Sequence, residues 1–213
     1  MNRATFFGAV AFLLASVAPS SAQSEITLRG FADAGLTVFT ATQSFNAILG
    51  KSTGPVFGGG IEVGLTRNVF VSVAASRFRR TGQRVFVFQN QVFKLNESDT
   101  ISLTPLQISA GYRFRGLGPA RLIPYAGGGI GWYRFAETSA HSTSIDDAKM
   151  TNVGYHVLGG AETPIFRWAA AAVDAQWASV PNSFGDAPSS VGSVFDEHNL
   201  GGFTLRARFI VGR

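Results

Sequence analysis

Eight charged residues in this chain stand at alternate positions among apolar ones: Arg29, Asp33, Glu62, Arg113, Glu162, Asp174, Arg206 and Arg208. In Phe203-Thr-Leu-Arg-Ala-Arg-Phe209 the spacing of two puts both guanidinium groups on one face of an extended strand. Phe203, Leu205, Ala207 and Phe209 fall on the other. Four acids and four bases aimed into one interior have a compulsory chemistry. They must pair, because an isolated buried charge is too costly for a marginally stable fold. Two readings follow: a plug of salt bridges standing where a hydrophobic core normally would, or the lining of a gated, narrow solute path. The plug is the expected state, since an open aqueous barrel typically takes about sixteen strands.

Catalysis would need a nucleophile with a base in reach. His141-Ser-Thr-Ser144 and Asp196-Glu197-His198 supply those residue types, but in a spacing that matches no catalytic arrangement. They read as loop residues and the chain as a non-enzyme. His156 takes an inward position and belongs with the polar interior. No cluster has metal-ligand spacing, and no cofactor is expected. The glycines at Gly58 to Gly60 and Gly127 to Gly131 lack the strand–turn–helix setting of a phosphate loop, so they read as room for large interior side chains. Asn96-Glu-Ser98 matches a glycosylation sequon by chance.

The elements that position these residues begin after a leader. Met1-Asn-Arg3 is a short basic start, Ala4 to Ala18 is apolar, and Pro19-Ser-Ser-Ala22 supplies the small residues a signal peptidase reads. Residues 1–22 are therefore expected to be a signal peptide and residues 23–213 a single β-barrel domain. No later run reaches the roughly 20 apolar residues of a membrane-spanning helix. Charged residues are only 15% against 46% hydrophobic, where a soluble domain carries about a quarter charged. Without cysteine there is no disulfide framework. The scattered basic residues form no run dense enough for a nucleic-acid site.

Period-two alternation predicts eight strands: Leu28 to Thr40, Val56 to Thr66, Val69 to about Phe78, about Pro105 to Phe114, Leu122 to Phe135, Val153 to Glu162, Trp168 to Val180, and Leu200 to Val211. One face of each is apolar. The other carries the charges together with Gly, Ser and Gln. This defines an all-β, eight-stranded, antiparallel up-and-down transmembrane barrel with lipid outside and a polar inside. A soluble lipocalin-like barrel would reverse the two faces.

Connections after the second, fourth and sixth strands are short. Those at Ala41–Pro55, Arg77–Thr104, Ala136–Asn152 and Pro181–Asn199 are long. Barrels of the outer membrane keep short turns in the periplasm, so both termini are expected there. Tyr112, Phe114, Trp168 and Phe209 would form the inner aromatic girdle, and Phe57, Trp132, Tyr155 and Trp177 the outer one. Arg84-Val-Phe-Val-Phe88 and Gln91-Val-Phe-Lys-Leu95 flank Gln89-Asn90, predicting a hairpin that prolongs the third and fourth strands beyond the membrane. Its Phe86, Phe88, Phe93 and Leu95 either recruit an extracellular protein partner by strand addition or pack on neighbouring loops. Arg77 and Arg79 keep the outward phase just above the apolar stretch, where they either contact lipopolysaccharide phosphate or are simply solvated.

Gly111-Tyr-Arg-Phe114 closing one strand, Pro124-Tyr-Ala-Gly-Gly-Gly129 opening the next, and the alternating last strand resemble the small outer-membrane β-barrel family, which includes the membrane domain of outer membrane protein A. The resemblance covers the whole chain after the leader. It implies a Gram-negative-type outer membrane, contact with its lipid, and insertion by the barrel-assembly machinery. Members usually end on an aromatic residue that this machinery reads. Here Phe209 takes that part, followed by Ile-Val-Gly-Arg213. The expected role is structural or surface-interacting, of an adhesion-like kind. The alternative is a narrow channel for small or hydrophobic solutes, with a rim opening lined by Phe31, Phe39 and Tyr133.

Overall fold

A computed structural model describes residues 26–88, 91–117, 121–139, 148–181, 183 and 195–212. Eight strands form one closed antiparallel barrel in chain order. They are β1 (Thr27–Phe39), β2 (Thr53–Gly64), β3 (Val69–Phe88), β4 (Gln91–Arg113), β5 (Ile123–Ser139), β6 (Ala148–Pro164), β7 (Ala169–Ser179) and β8 (Gly202–Gly212). Closure joins β1 to β8 from Arg29 opposite Gly212 to Phe39 opposite Gly202, so the barrel wall itself has no free sheet edge.

The alternation sorts side chains as their chemistry requires. Leu36, Phe57, Ile61, Leu106, Ile130, Val157, Val173 and Leu205 are exposed on the outer wall, while Asp33, Glu62, Gln107, Arg113, His156, Glu162, Asp174, Arg206 and Arg208 are buried inside. Aromatic pairs border the wall at both ends. Tyr155 and Trp177 lie 5.8 Å apart toward the long loops, and Tyr112 with Phe114 and Phe166 with Trp168 sit toward the short turns. The β2–β3 turn is tight, with Leu65 N–H donating to Val69 O and the Thr66 hydroxyl accepting from the amides of Asn68 and Val69.

Two features extend the predicted strand set. β3 runs on past Phe78 to Phe88 and β4 begins at Gln91, well before Pro105; the two stay paired out to Phe88 opposite Gln91, with a shift of register between Gln83 and Val85, which gives the expected hairpin at the level of the backbone. The segment expected as an irregular Ala41–Pro55 connection contains a helix, α1 (Thr42–Leu49), ended by Gly50 in the left-handed region at φ 69°. Glycine makes room inside where the sequence suggested it: a Cβ on Gly60 would lie 2.8 Å from the Phe31 ring and one on Gly131 3.1 Å from that of Tyr133.

Candidate functional site: the lumen and the rim

The inward charges gather in two groups. Toward the short-turn end, Arg29 donates from Nε and Nη2 to Glu62 Oε1 at 2.9 and 2.6 Å, from Nη1 to Glu162 Oε1 at 2.6 Å and from Nη2 to Glu162 Oε2 at 3.0 Å. Arg113 closes the ring, its Nη2 donating to Glu62 Oε1 at 2.5 Å and its Nε lying 3.5 Å from Glu162 Oε2. The quartet draws on β1, β2, β4 and β6, so it spans the lumen. Of its contacts only Arg29 with Glu62 joins residues directly opposite in register on adjacent strands.

Farther along the lumen, Asp174 holds two arginines. Arg206 Nε and Nη2 reach Oδ1 at 2.9 and 2.7 Å, Arg208 Nη2 reaches Oδ2 at 3.1 Å, and the Tyr125 hydroxyl donates to Oδ2 at 3.0 Å. Asp33 is held more loosely. Its Oδ2 is 3.9 Å from Arg208 Nε, beyond hydrogen-bonding range, and its Oδ1 has no hydrogen-bond partner among the described residues. Aromatic rings support both groups: the Arg113 guanidinium lies 4.5 Å from the Phe70 centroid and that of Arg208 4.3 Å from Phe31.

Neutral polar contacts follow toward the long loops. Ser109 and His156 Nε2 are 2.8 Å apart, and Gln107 Nε2 donates to the Tyr133 hydroxyl at 2.8 Å. Above them the lumen turns apolar, with Phe39, Phe45, Leu49, Phe78, Ile101, Leu103, Val180 and Leu200 in one cluster. A cavity of about 50 Å³ remains between this cluster and Arg206.

The three aromatics expected around a rim opening are thus separated. Phe31 lies beneath Arg208, whereas Phe39 and Tyr133 belong to the cluster that α1 completes. The reason is height along the strand: Phe31 and Phe39 are eight residues apart on β1, so they share a face but not a level.

At the rim, Arg77 and Arg79 are exposed on the outer face of β3. The registers Phe78–Leu103 and Thr104–Arg134 bring exposed Arg134 of β5 to a neighbouring level, a third arginine that alternation along β3 alone does not single out. In the hairpin Phe86 pairs with Phe93, while the side chains of Phe86, Phe88, Phe93 and Leu95 lie outside the described residues. His141 and Ser144 are also outside them. Asp196 and His198 contact each other at 3.1 Å at exposed positions, and Glu197 binds the backbone of α1.

A closed antiparallel barrel with an apolar, aromatic-bordered wall and charges inside is the architecture of a transmembrane barrel. The family described as outer membrane protein beta-barrel domain matches residues 7–191, most of the chain; the protein belongs to that family and so to the bacterial outer membrane. No curated protein sequence matches it. Among solved structures, a major outer membrane protein from Thermus thermophilus is similar with a TM-score of 0.63 at 9% identity, over 89% of this chain and 100% of the other. Neisserial surface protein A gives a TM-score of 0.54 at 15% identity, over 87% and 96%. At these identities the likeness is one of fold.

Proposed function

We propose that this protein is a structural or surface-interacting, adhesion-like barrel whose lumen is plugged by salt bridges. The observation that carries the reading is the Arg29–Glu62–Arg113–Glu162 quartet. Contacts of 2.5 to 3.5 Å between side chains of four strands cross the lumen and leave no acid or base of the four without an opposite charge. A barrel filled in this way acts through its surfaces, without catalysis. In this reading residues 1–22 are removed as a signal peptide, residues 23–213 form the barrel domain, both termini are periplasmic, and β8 with Phe209 is presented to the barrel-assembly machinery. Arg77 and Arg79, joined by Arg134, meet lipopolysaccharide phosphate, and the Phe86, Phe88, Phe93 and Leu95 hairpin meets an extracellular protein partner.

The second reading, a narrow path for small or hydrophobic solutes, draws on the cavity near Arg206 and on the looser Asp33–Arg208 contact. Gly82 stands opposite Asp99, so residues 83–98 can be replaced by a two-residue turn without disturbing the barrel below. Attachment of expressing cells to an epithelial surface should fall to background in that variant, with heat-modifiable gel migration retained. Full attachment by the shortened barrel would overturn the surface role of the hairpin.

A further inference from the structure

Helix α1 lies at the long-loop end of the barrel, with Phe45 and Leu49 in the apolar cluster there, and takes no part in the strand ladder. Its own sequence does not hold it there. The N-cap position is Ala41, which makes no capping side-chain bond, and the first turn carries no acid. The cap comes from elsewhere in the chain: Glu197 accepts from the amides of Gln43 and Ser44, at 2.9 Å to Oε1 and 2.8 Å to Oε2. A carboxylate so placed satisfies two free N–H groups and complements the positive end of the helix.

The segment bearing Glu197 is built to present it. Asp196 adopts a left-handed backbone at φ 55°. Asn199 then fastens the chain to the end of β7, its Oδ1 accepting from the amides of Val180 and Gly201 at 2.8 Å each and its Nδ2 donating to Ser179 Oγ at 2.9 Å. At the other end α1 rests on β3, where a Cβ on Gly82 would fall 2.2 Å from Ile48 O. Between these supports Phe45 stacks on Phe39 at 4.1 Å and 5° and meets Phe78 edge-on at 6.5 Å. The cavity of about 50 Å³ lies one layer further in: Phe39 and Phe78, which Phe45 covers, wall it together with Leu103 and Tyr133, and Gln107, Gln176 and Arg206 floor it.

We propose that α1 is a lid, latched by Glu197, over a dead-end vestibule that opens to the outside and is sealed below by the lumen charges. The lid can leave without breaking a strand pairing, because among the described residues its fastenings are one carboxylate, the apolar side chains Phe45 and Leu49, and one close backbone seat. The sealed floor rests on the plug described above; the lid does not.

The chain has no cysteine, so one can be placed as a reporter. Ser76 lines the vestibule and Lys51 is an exposed control. In the refolded full barrel, Ser76→Cys should react with a charged, water-soluble maleimide far more slowly than Lys51→Cys. Adding Glu197→Ala should accelerate the Ser76→Cys reaction about tenfold, the worth of a lost cap, and leave Lys51→Cys unchanged. Phe45→Ala, which removes the stack and keeps the latch, should act in the same direction. Heat-modifiable migration confirms that each barrel is folded. Equal Ser76→Cys rates with and without these changes, or a Ser76→Cys rate matching the control in the latched protein, would overturn the lid. Faster labelling accompanied by new ion conductance would keep the lid and overturn the sealed floor.

Discussion

The two ends of the lumen carry opposite chemistries. Toward the short turns four charged side chains from β1, β2, β4 and β6 interlock, each fixed at its base by the strand ladder. Toward the long loops the closure is apolar, with Phe45 and Leu49 pressed onto Phe39, Phe78 and Leu103 by a helix that belongs to no sheet. Charge pairing ties the wall to itself across its diameter, so in the proposed plug closure is part of the global fold. In the proposed lid, apolar packing from an added helix closes the other end by a contact that can open locally.

The largest expected effect breaks the charged end. Glu62→Leu removes an acceptor that Arg29 and Arg113 share, and unfolding in detergent should show a loss of about 3–5 kcal/mol. An unchanged urea midpoint would mean that the quartet is not a buried, paired network in the folded protein. The apolar end should respond differently. A buried Phe→Ala change normally costs about 3–5 kcal/mol, but Phe45→Ala should move the barrel's own unfolding transition by less than about 1 kcal/mol, because α1 detaches first. A full core-sized loss would make α1 part of the same cooperative unit and erase the distinction between the ends.

Much of this was legible in the sequence, for a definite reason. A period of two assigns every side chain to a face, and the faces need no knowledge of partners, so the inward set from Arg29 to Arg208 follows from alternation alone. Register is different. That Asp33 faces Arg208 and Asp174 faces Arg206 depends on how far each strand slides against the next, and that Arg29 reaches Glu162 depends on closure of the barrel. Neither is written locally. Helix α1 escaped for a related reason: Thr42–Leu49 is short, has no N-terminal cap of its own, and is stabilised by Glu197 from more than 150 residues away. Arg134 becomes a neighbour of Arg77 only through the registers on either side of β4.

The smallest stability effect belongs outside the lumen. Changing Arg77, Arg79 and Arg134 together to Gln should leave the unfolding midpoint within about 0.5 kcal/mol, as exposed substitutions do. Retention of lipopolysaccharide by the purified barrel should fall, and a double change at Arg77 and Arg79 should fall less. Unaltered retention in the triple variant would return these residues to ordinary solvated surface.

Ion conductance of the purified barrel in planar lipid bilayers decides whether charge at one end and an apolar lid at the other close the lumen. The wild-type protein should show no steady stepwise openings, and neither should Phe45→Ala, in which the charged floor is intact. Steady, reproducible openings in the wild-type protein would contradict the account.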